Sequence, residues 1–162
     1  MKKQEITIVD LPVQYVLGLR ERGKYQEKIP DMIKRLFEYL RANNIKCTGA
    51  PVFVCRETAE EAKEAEKTGN ADIEIAVPVP EDTSGNDEQG IKAYTLEGGP
   101  MAKTIHKGPY EECGPSYERL FKWIAENGKV VSGPTREIYL NDPRDVKTEE
   151  ILTEIYAPIE GC

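Results

Sequence analysis

The stretch GPTREIYLNDP, Gly133 to Pro143, puts a carboxylate where packing is expected. Thr135 to Leu140 has the composition of a strand between turn formers, yet Glu137 sits in it beside Ile138, Tyr139 and Leu140. Side chains alternate along a strand, so Glu137 shares a face with Thr135 and Tyr139, while Ile138 and Leu140 point the other way. A glutamate among aromatic rings can do two kinds of chemistry. It can attract a cation, since a desolvated anion gains from an opposite charge and each well-placed ring face adds roughly 0.5–2 kcal/mol of cation–π attraction. With a raised proton affinity it can instead activate water, provided Tyr139, Tyr156 or Glu154 supplies a second polar group. Neutralisation from within would fall to Lys103 or Arg136, and Arg136, adjacent in sequence, points to the opposite face.

Other chemistries find little support. His106 precedes a Gly-x-Tyr turn and reads as a hydrogen-bonded structural histidine, with no serine or cysteine clearly arranged as a nucleophile. Cys47, Cys55, Cys113 and Cys162 form no C-x-x-C pair, and one histidine does not complete a zinc set of the usual spacing. No metal and no cofactor are expected, and a reduced, cytoplasmic setting fits. The net charge of -7, from 22 Lys and Arg against 29 Asp and Glu, repels nucleic acid and an anionic membrane. No apolar run has the length of a signal peptide or a bilayer span.

Stepping along the chain by 84 residues sets KRLFEYLRANNIKCTGAPVFVC, from Lys34, on ERLFKWIAENGKVVSGPTREIY, from Glu118, without a gap. Arg35/Arg119, Leu36/Leu120, Phe37/Phe121, Asn43/Asn127 and Gly49/Gly133 are identical. With small shifts GKY at Gly23 answers GPY at Gly108, and IEIAVPV at Ile73 answers TEIYAPI at Thr153. The unit of the repeat is strand, helix, strand, strand. VQYVLGLR and MAKTIHK are the opening strands. Helices follow, with stripes Ile29, Ile33, Leu36, Leu40 and Cys113, Tyr117, Leu120, Ile124. Pro30 and Pro115 suit first turns, and Asn43-Asn44 and Asn127-Gly128 suit left-handed caps.

Half-repeats at about 1–80 and 91–162 make one domain, joined by the turn-rich linker at about 80–90. ETAEEAKEAEKTGN reads as a short exposed helix, and Ile6–Val9 and Ile91–Leu96 as additional strands. The expected class is α+β: a tandem, pseudo-twofold repeat with two antiparallel sheets, a covering helix on each, and a central groove. An exposed sheet edge leaves an oligomer possible.

At the place of Glu137 the first copy has Phe53, and at Tyr139 it has Cys55. A packing position has become charged in one copy only. Glu74 and Glu154, by contrast, recur in both, which argues for a shared structural role. Ile138 and Leu140 match the apolar Val54 face, so the expectation is that they pack beneath the helix against Leu120 and Ile124 and that Glu137 and Tyr139 look away from it.

The ordered set HKGPYEECGPSYERLFKWIAENG, GPTREIYLNDP and ILTEIYAPI resembles the GyrI-like family, the small-molecule-binding module of DNA gyrase inhibitory proteins and of AraC-type and MerR-type multidrug-responsive activators. The resemblance covers most of the chain and implies a cleft on the pseudo-twofold axis, with Glu137 at the place where multidrug-responsive members meet a cationic aromatic ligand. Tyr139, Trp123, Tyr156, Tyr110, Phe53 and Tyr94 are the expected lining. Trp123 serves core packing equally well, and Tyr110 also anchors its turn, as Tyr25 does in the first copy.

Three functions remain open. The first is a free-standing binder of an amphipathic or cationic small molecule, without DNA-binding segments of its own. The second is a hydrolase of strained electrophiles, as some GyrI-like proteins are, with Glu137 and Tyr139 or Tyr156 as the catalytic groups. The third is a modulator of a protein partner of the gyrase type.

Overall fold

The computed structural model describes residues 6–57, 59–109, 112–141 and 145–160. In chain order they form β1 (Thr7–Leu11), β2 (Gln14–Gly23), α1 (Tyr25–Ala42), β3 (Val52–Cys55), α2 (Ala59–Thr68), β4 (Ala71–Pro78), β5 (Lys92–Leu96), β6 (Gly99–Lys107), α3 (Gly114–Glu126), β7 (Val130–Val131), β8 (Thr135–Tyr139) and β9 (Leu152–Glu160). All the strand pairs described here are antiparallel. The class is therefore α+β. The chain divides into two compact units, a first of Val13–Glu97 and a second of Met1–Pro12 with Gly98–Cys162.

In the first unit the strand order is β3-β4-β2-β5. The register sets Phe53 and Leu19 on either side of Ile75, so these three share a face. Helix α1 lies on that face: Tyr25 meets Phe53, and Lys28 and Arg35 reach Glu21, two residues beyond Leu19. Met32, Leu36 and Leu40 are buried with Leu17, Leu19, Ile73, Ile75 and Val77. Each such apolar side chain withdrawn from water stabilises the fold by about 1.5–3 kcal/mol. The stripe centres on Met32, with Ile29 and Ile33 only half-buried, and α1 begins at Tyr25, ahead of Pro30. Pro30 is thus in the second turn instead of the first. Lys24 carbonyl accepts from the amides of Glu27 and Lys28, which closes the first turn without it.

In the second unit the order is β1-β6-β9-β8, and β7 pairs with β9. Leu120 and Ile124 of α3 pack with Ala102, Ile155, Ala157 and Ile159. Ser116, where an apolar residue would fit the stripe, is buried because its hydroxyl meets His106 Nδ1 at 3.0 Å. Both helices end on a left-handed residue, Asn44 at φ 54° and Gly128 at φ 71°, as their sequences anticipate.

The compact units differ from the half-repeats. β1, from the start of the chain, pairs with β6 of the second unit, and β5, from the start of the second half-repeat, pairs with β2 of the first. Each of these short strands supplies the hydrogen bonds that an otherwise open edge of β6 or β2 lacks. Within residues 80–91, Asn86 caps a single 3-10 turn, Asp87–Gln89, through its side-chain oxygen.

Candidate functional site

The register of β8 decides what Glu137 faces. Glu137 lies opposite Ile155, and Ile155 belongs to the core beneath α3. Directly opposed residues share a face, so Glu137 points toward the helix and Ile138, opposite Glu154, points away from it. This reverses the expectation that Ile138 and Leu140 fill the core; Leu140 is 45% exposed. The side-chain contact agrees, since the Tyr117 hydroxyl on α3 donates a short hydrogen bond to the Glu137 carboxylate.

Glu137 keeps partial contact with solvent as a residue, while protein atoms crowd its carboxyl group. Burial pushes its proton affinity up, and the Tyr117 hydrogen bond, the smaller effect, pulls it down. Among the described residues no lysine or arginine forms an ion pair with it. Tyr117 and Phe121, one helical turn apart, bring their ring centroids to 6.0 Å, and Phe121 is 39% exposed. Tyr139 is half-buried on the Glu137 face two residues along, opposite Thr153. Carboxylate, phenol and a reachable ring therefore converge on one face of the second unit.

The opposite sheet face carries a different chemistry. Glu154 accepts from Lys103 Nζ at 2.7 Å and from the Tyr156 hydroxyl at 3.2 Å, and Lys103 stands 5.6 Å from the Tyr156 ring centre. The Glu154 carboxylate holds Lys103 above its usual range, and burial followed by Glu154 raises the Tyr156 phenol. The first unit repeats the arrangement. Glu74, 3% exposed, accepts a short ion-pair contact from Arg56 and a 2.8 Å hydrogen bond from the Tyr94 hydroxyl. Tyr94 reaches it by lying across Gly18, where a Cβ would stand 2.2 Å from the phenol oxygen. The shared structural role expected of Glu74 and Glu154 is thus an internally neutralised carboxylate.

Tyr139 accordingly shares Glu137's face, while Tyr156 is held by Glu154 on the reverse side of the same strands. Tyr94 belongs to the Glu74 cluster and also walls a recess of about 150 Å³ with Tyr15, Pro80 and Glu81, which Glu137 does not line. Trp123 packs half-buried against the Leu120–Ile155 core. Phe53, 4% exposed, is packed edge-on against Tyr25. Tyr110 lies outside the described residues, as does Pro143. Sequence reasoning missed Tyr117 as the partner of Glu137; its one signal was a phenol within an apolar helical stripe. His106 accepts from Ser116 at Nδ1 and donates from Nε2 to the Pro109 carbonyl at 2.9 Å, since a carbonyl can only accept. It ties the start of α3 to β6. The described residues contain no cluster able to hold a metal ion and no helix long and apolar enough to cross a membrane.

A duplicated α+β architecture with a desolvated carboxylate beside aromatic rings is the layout of a small-molecule-binding module. The chain belongs to the GyrI-like family: the GyrI-like small molecule binding domain matches residues 4–160. No curated protein sequence matches it. Among solved structures it is similar to the EcmrR C-terminal domain, at 20% identity and TM-score 0.83 over 98% of this chain and 99% of that one. In the EcmrR–DNA complex, at 19% identity and TM-score 0.84, 98% of this chain covers 58% of EcmrR, so the chain spans under two thirds of that relative. SAV2435 bound to tetraphenylphosphonium is similar at 17% identity and TM-score 0.59, over 97% of this chain and 94% of that one. A hydrolase encoded by lin2189 from Listeria innocua matches at 14% identity and TM-score 0.67, over 98% and 93%. At these identities the likenesses establish the fold alone.

Proposed function

We propose that this protein binds lipophilic, aromatic cations, with Glu137 as the counter-charge and Tyr139, Tyr117 and Phe121 as ring contacts. The observation that carries the proposal is a crowded carboxylate whose described partner is a phenol and never a cation. Such an anion costs free energy to desolvate and recovers it when a positive charge arrives. The rings add attraction without a demanding hydrogen-bond pattern, so charge and shape select the ligand. That SAV2435 was solved with tetraphenylphosphonium supports this ligand class. Among the other expected lining residues, Trp123, Phe53, Tyr94 and Tyr156 make the packing contacts and hydrogen bonds described above.

Titrating tetraphenylphosphonium into the protein and into Glu137→Gln tests the proposal by calorimetry. The isosteric amide keeps an acceptor for Tyr117 and removes the charge, so affinity falls tenfold or more, the loss of about 1.4 kcal/mol or greater. Equal affinities in the two proteins would refute the role of Glu137.

A second reading, hydrolysis, is favoured by one observation: the raised carboxyl of Glu137 is hydrogen-bonded to a phenol that can donate to developing negative charge. Tyr117 is the phenol that donates to Glu137, whereas the Tyr156 hydroxyl donates to Glu154, so this reading takes Tyr117 as the second group. Product release from a strained electrophile, absent in Glu137→Gln, would separate turnover from capture.

A further inference from the structure

The carboxylates that the fold draws out of full exposure divide into two groups. Glu21 is held by Arg35 and Lys28, Asp72 by Arg20, Glu74 by Arg56 and Glu154 by Lys103. Glu57 and Glu137 are held by phenols, from Tyr25 at 2.8 Å and from Tyr117. Among the described residues neither has a lysine or arginine at ion-pair distance.

The surroundings of the two also correspond. Tyr25 and Tyr117 each come from the helix that covers its own unit, and each has a phenylalanine ring about one ring-contact away: Phe53 at 6.2 Å and 75°, Phe121 at 6.0 Å and 37°. Burial raises the Tyr25 phenol first, and the hydrogen bond to Glu57 raises it further, so the hydroxyl stays a donor. The Cys55 thiol also donates to the Glu57 carbonyl at 3.6 Å. Phe53 is buried and props the Tyr25 ring, whereas Tyr25 and Glu57 are half-exposed and can be reached.

We infer that Glu57 and Tyr25 form a second site for organic cations, wholly within the first unit. Its ligand class is a small aryl or alkyl ammonium, whose charge sits on Glu57 and whose apolar groups lie on the Tyr25 ring. The inference rests on the chemistry proposed for Glu137 but on different residues. A cation that reaches Glu57 Oε1 competes with the Tyr25 hydroxyl for that oxygen, so the phenol tunes affinity downward in the empty site.

Phenyltrimethylammonium is the probe, followed by calorimetry and by the ring-proton resonances of Tyr25 and Tyr117. The expected result is two binding events in the unaltered protein, with Glu57→Gln losing the event that shifts Tyr25 and Glu137→Gln losing the other. Tyr25→Phe is the second variant, and it should strengthen the Tyr25-side event a few-fold by removing the competing hydroxyl. A stoichiometry and affinities unchanged in Glu57→Gln, or no change in Tyr25→Phe, would overturn the second site. Loss of the Glu57 event alone would uphold it even if Glu137→Gln binds as tightly as the unaltered protein, so the two proposals fail separately.

Discussion

In the first unit β3 presents Phe53 to α1, where its ring meets Tyr25 edge-on and is almost wholly buried. In the second unit the matching place of the repeat holds Glu137, and what α3 offers it is the Tyr117 hydroxyl. An apolar contact has become a hydrogen bond to a charge without a cation, while the same fold is kept around it. The reverse faces were treated the opposite way: both units place a glutamate there, and both satisfy it with a cation and a tyrosine hydroxyl. The reverse-face glutamates are thus neutralised by cations, as Glu21 is beneath α1, whereas Glu137 beneath α3 meets a phenol.

The same isosteric change should affect the two units differently. Glu74→Gln leaves Arg56 without its counter-charge; with the Arg56 side chain 37% exposed and partly screened, the expected cost is about 1–3 kcal/mol at neutral pH. Glu137→Gln removes a desolvated charge that has no cation and should leave stability unchanged or slightly raised. Urea unfolding of the two variants measures both. Equal losses would show that Glu137 is as internally compensated as Glu74.

A second change tests how the first unit holds its reverse face. Tyr94 reaches Glu74 only because Gly18 has no side chain, and the rigid ring cannot yield as a flexible chain end could. Gly18→Ala should cost about 1–3 kcal/mol by overpacking and release the Tyr94 hydroxyl. Lys103, which occupies the corresponding place relative to the Gly-x-Tyr turn, makes its contact to Glu154 directly. Gly18→Ala in a Tyr94→Leu background should recover much of the loss, and the double variant's melting temperature reports it.

The repeat, the helices and most strands were legible because periodicity and turn residues are local signals. The face of Glu137 was not. Ile138 and Leu140 are apolar, so the even-numbered side of β8 looked like the core, whereas the pairing of Glu137 with Ile155 settles the matter the other way. A shift of one residue exchanges the two faces of a strand, and only a partner strand fixes it. The pairings of β1 with β6 and of β5 with β2 escaped notice for the same reason, since pairing between distant segments has no signature within either one. Glu57 was absorbed into an exposed acidic stretch, and nothing in its neighbours announces Tyr25, 32 residues earlier, as its partner.

The two units should also differ in how their stability responds to pH. In the first unit, Glu21 is held by Arg35 and then by Lys28 at about 2, below its ordinary value of 4.5. A lowered carboxyl stabilises the fold above its ordinary value, and that contribution is lost as pH falls toward about 2. Glu137 has the opposite sign. Its folded-state value is raised by burial, so its favourable contribution is complete below the ordinary carboxylate range and is lost as pH rises through the raised value. The stability difference between the unaltered protein and Glu21→Gln should therefore grow as pH rises from about 2 and level off above about 4.5, whereas relative to Glu137→Gln the unaltered protein should be favoured in acid and lose ground upward from about 4.5. Urea midpoints of the three proteins across that range give both curves. A flat Glu137→Gln difference would mean that its carboxyl is as well solvated when folded as when unfolded, and the contrast between the two helix faces would then rest on Phe53 alone.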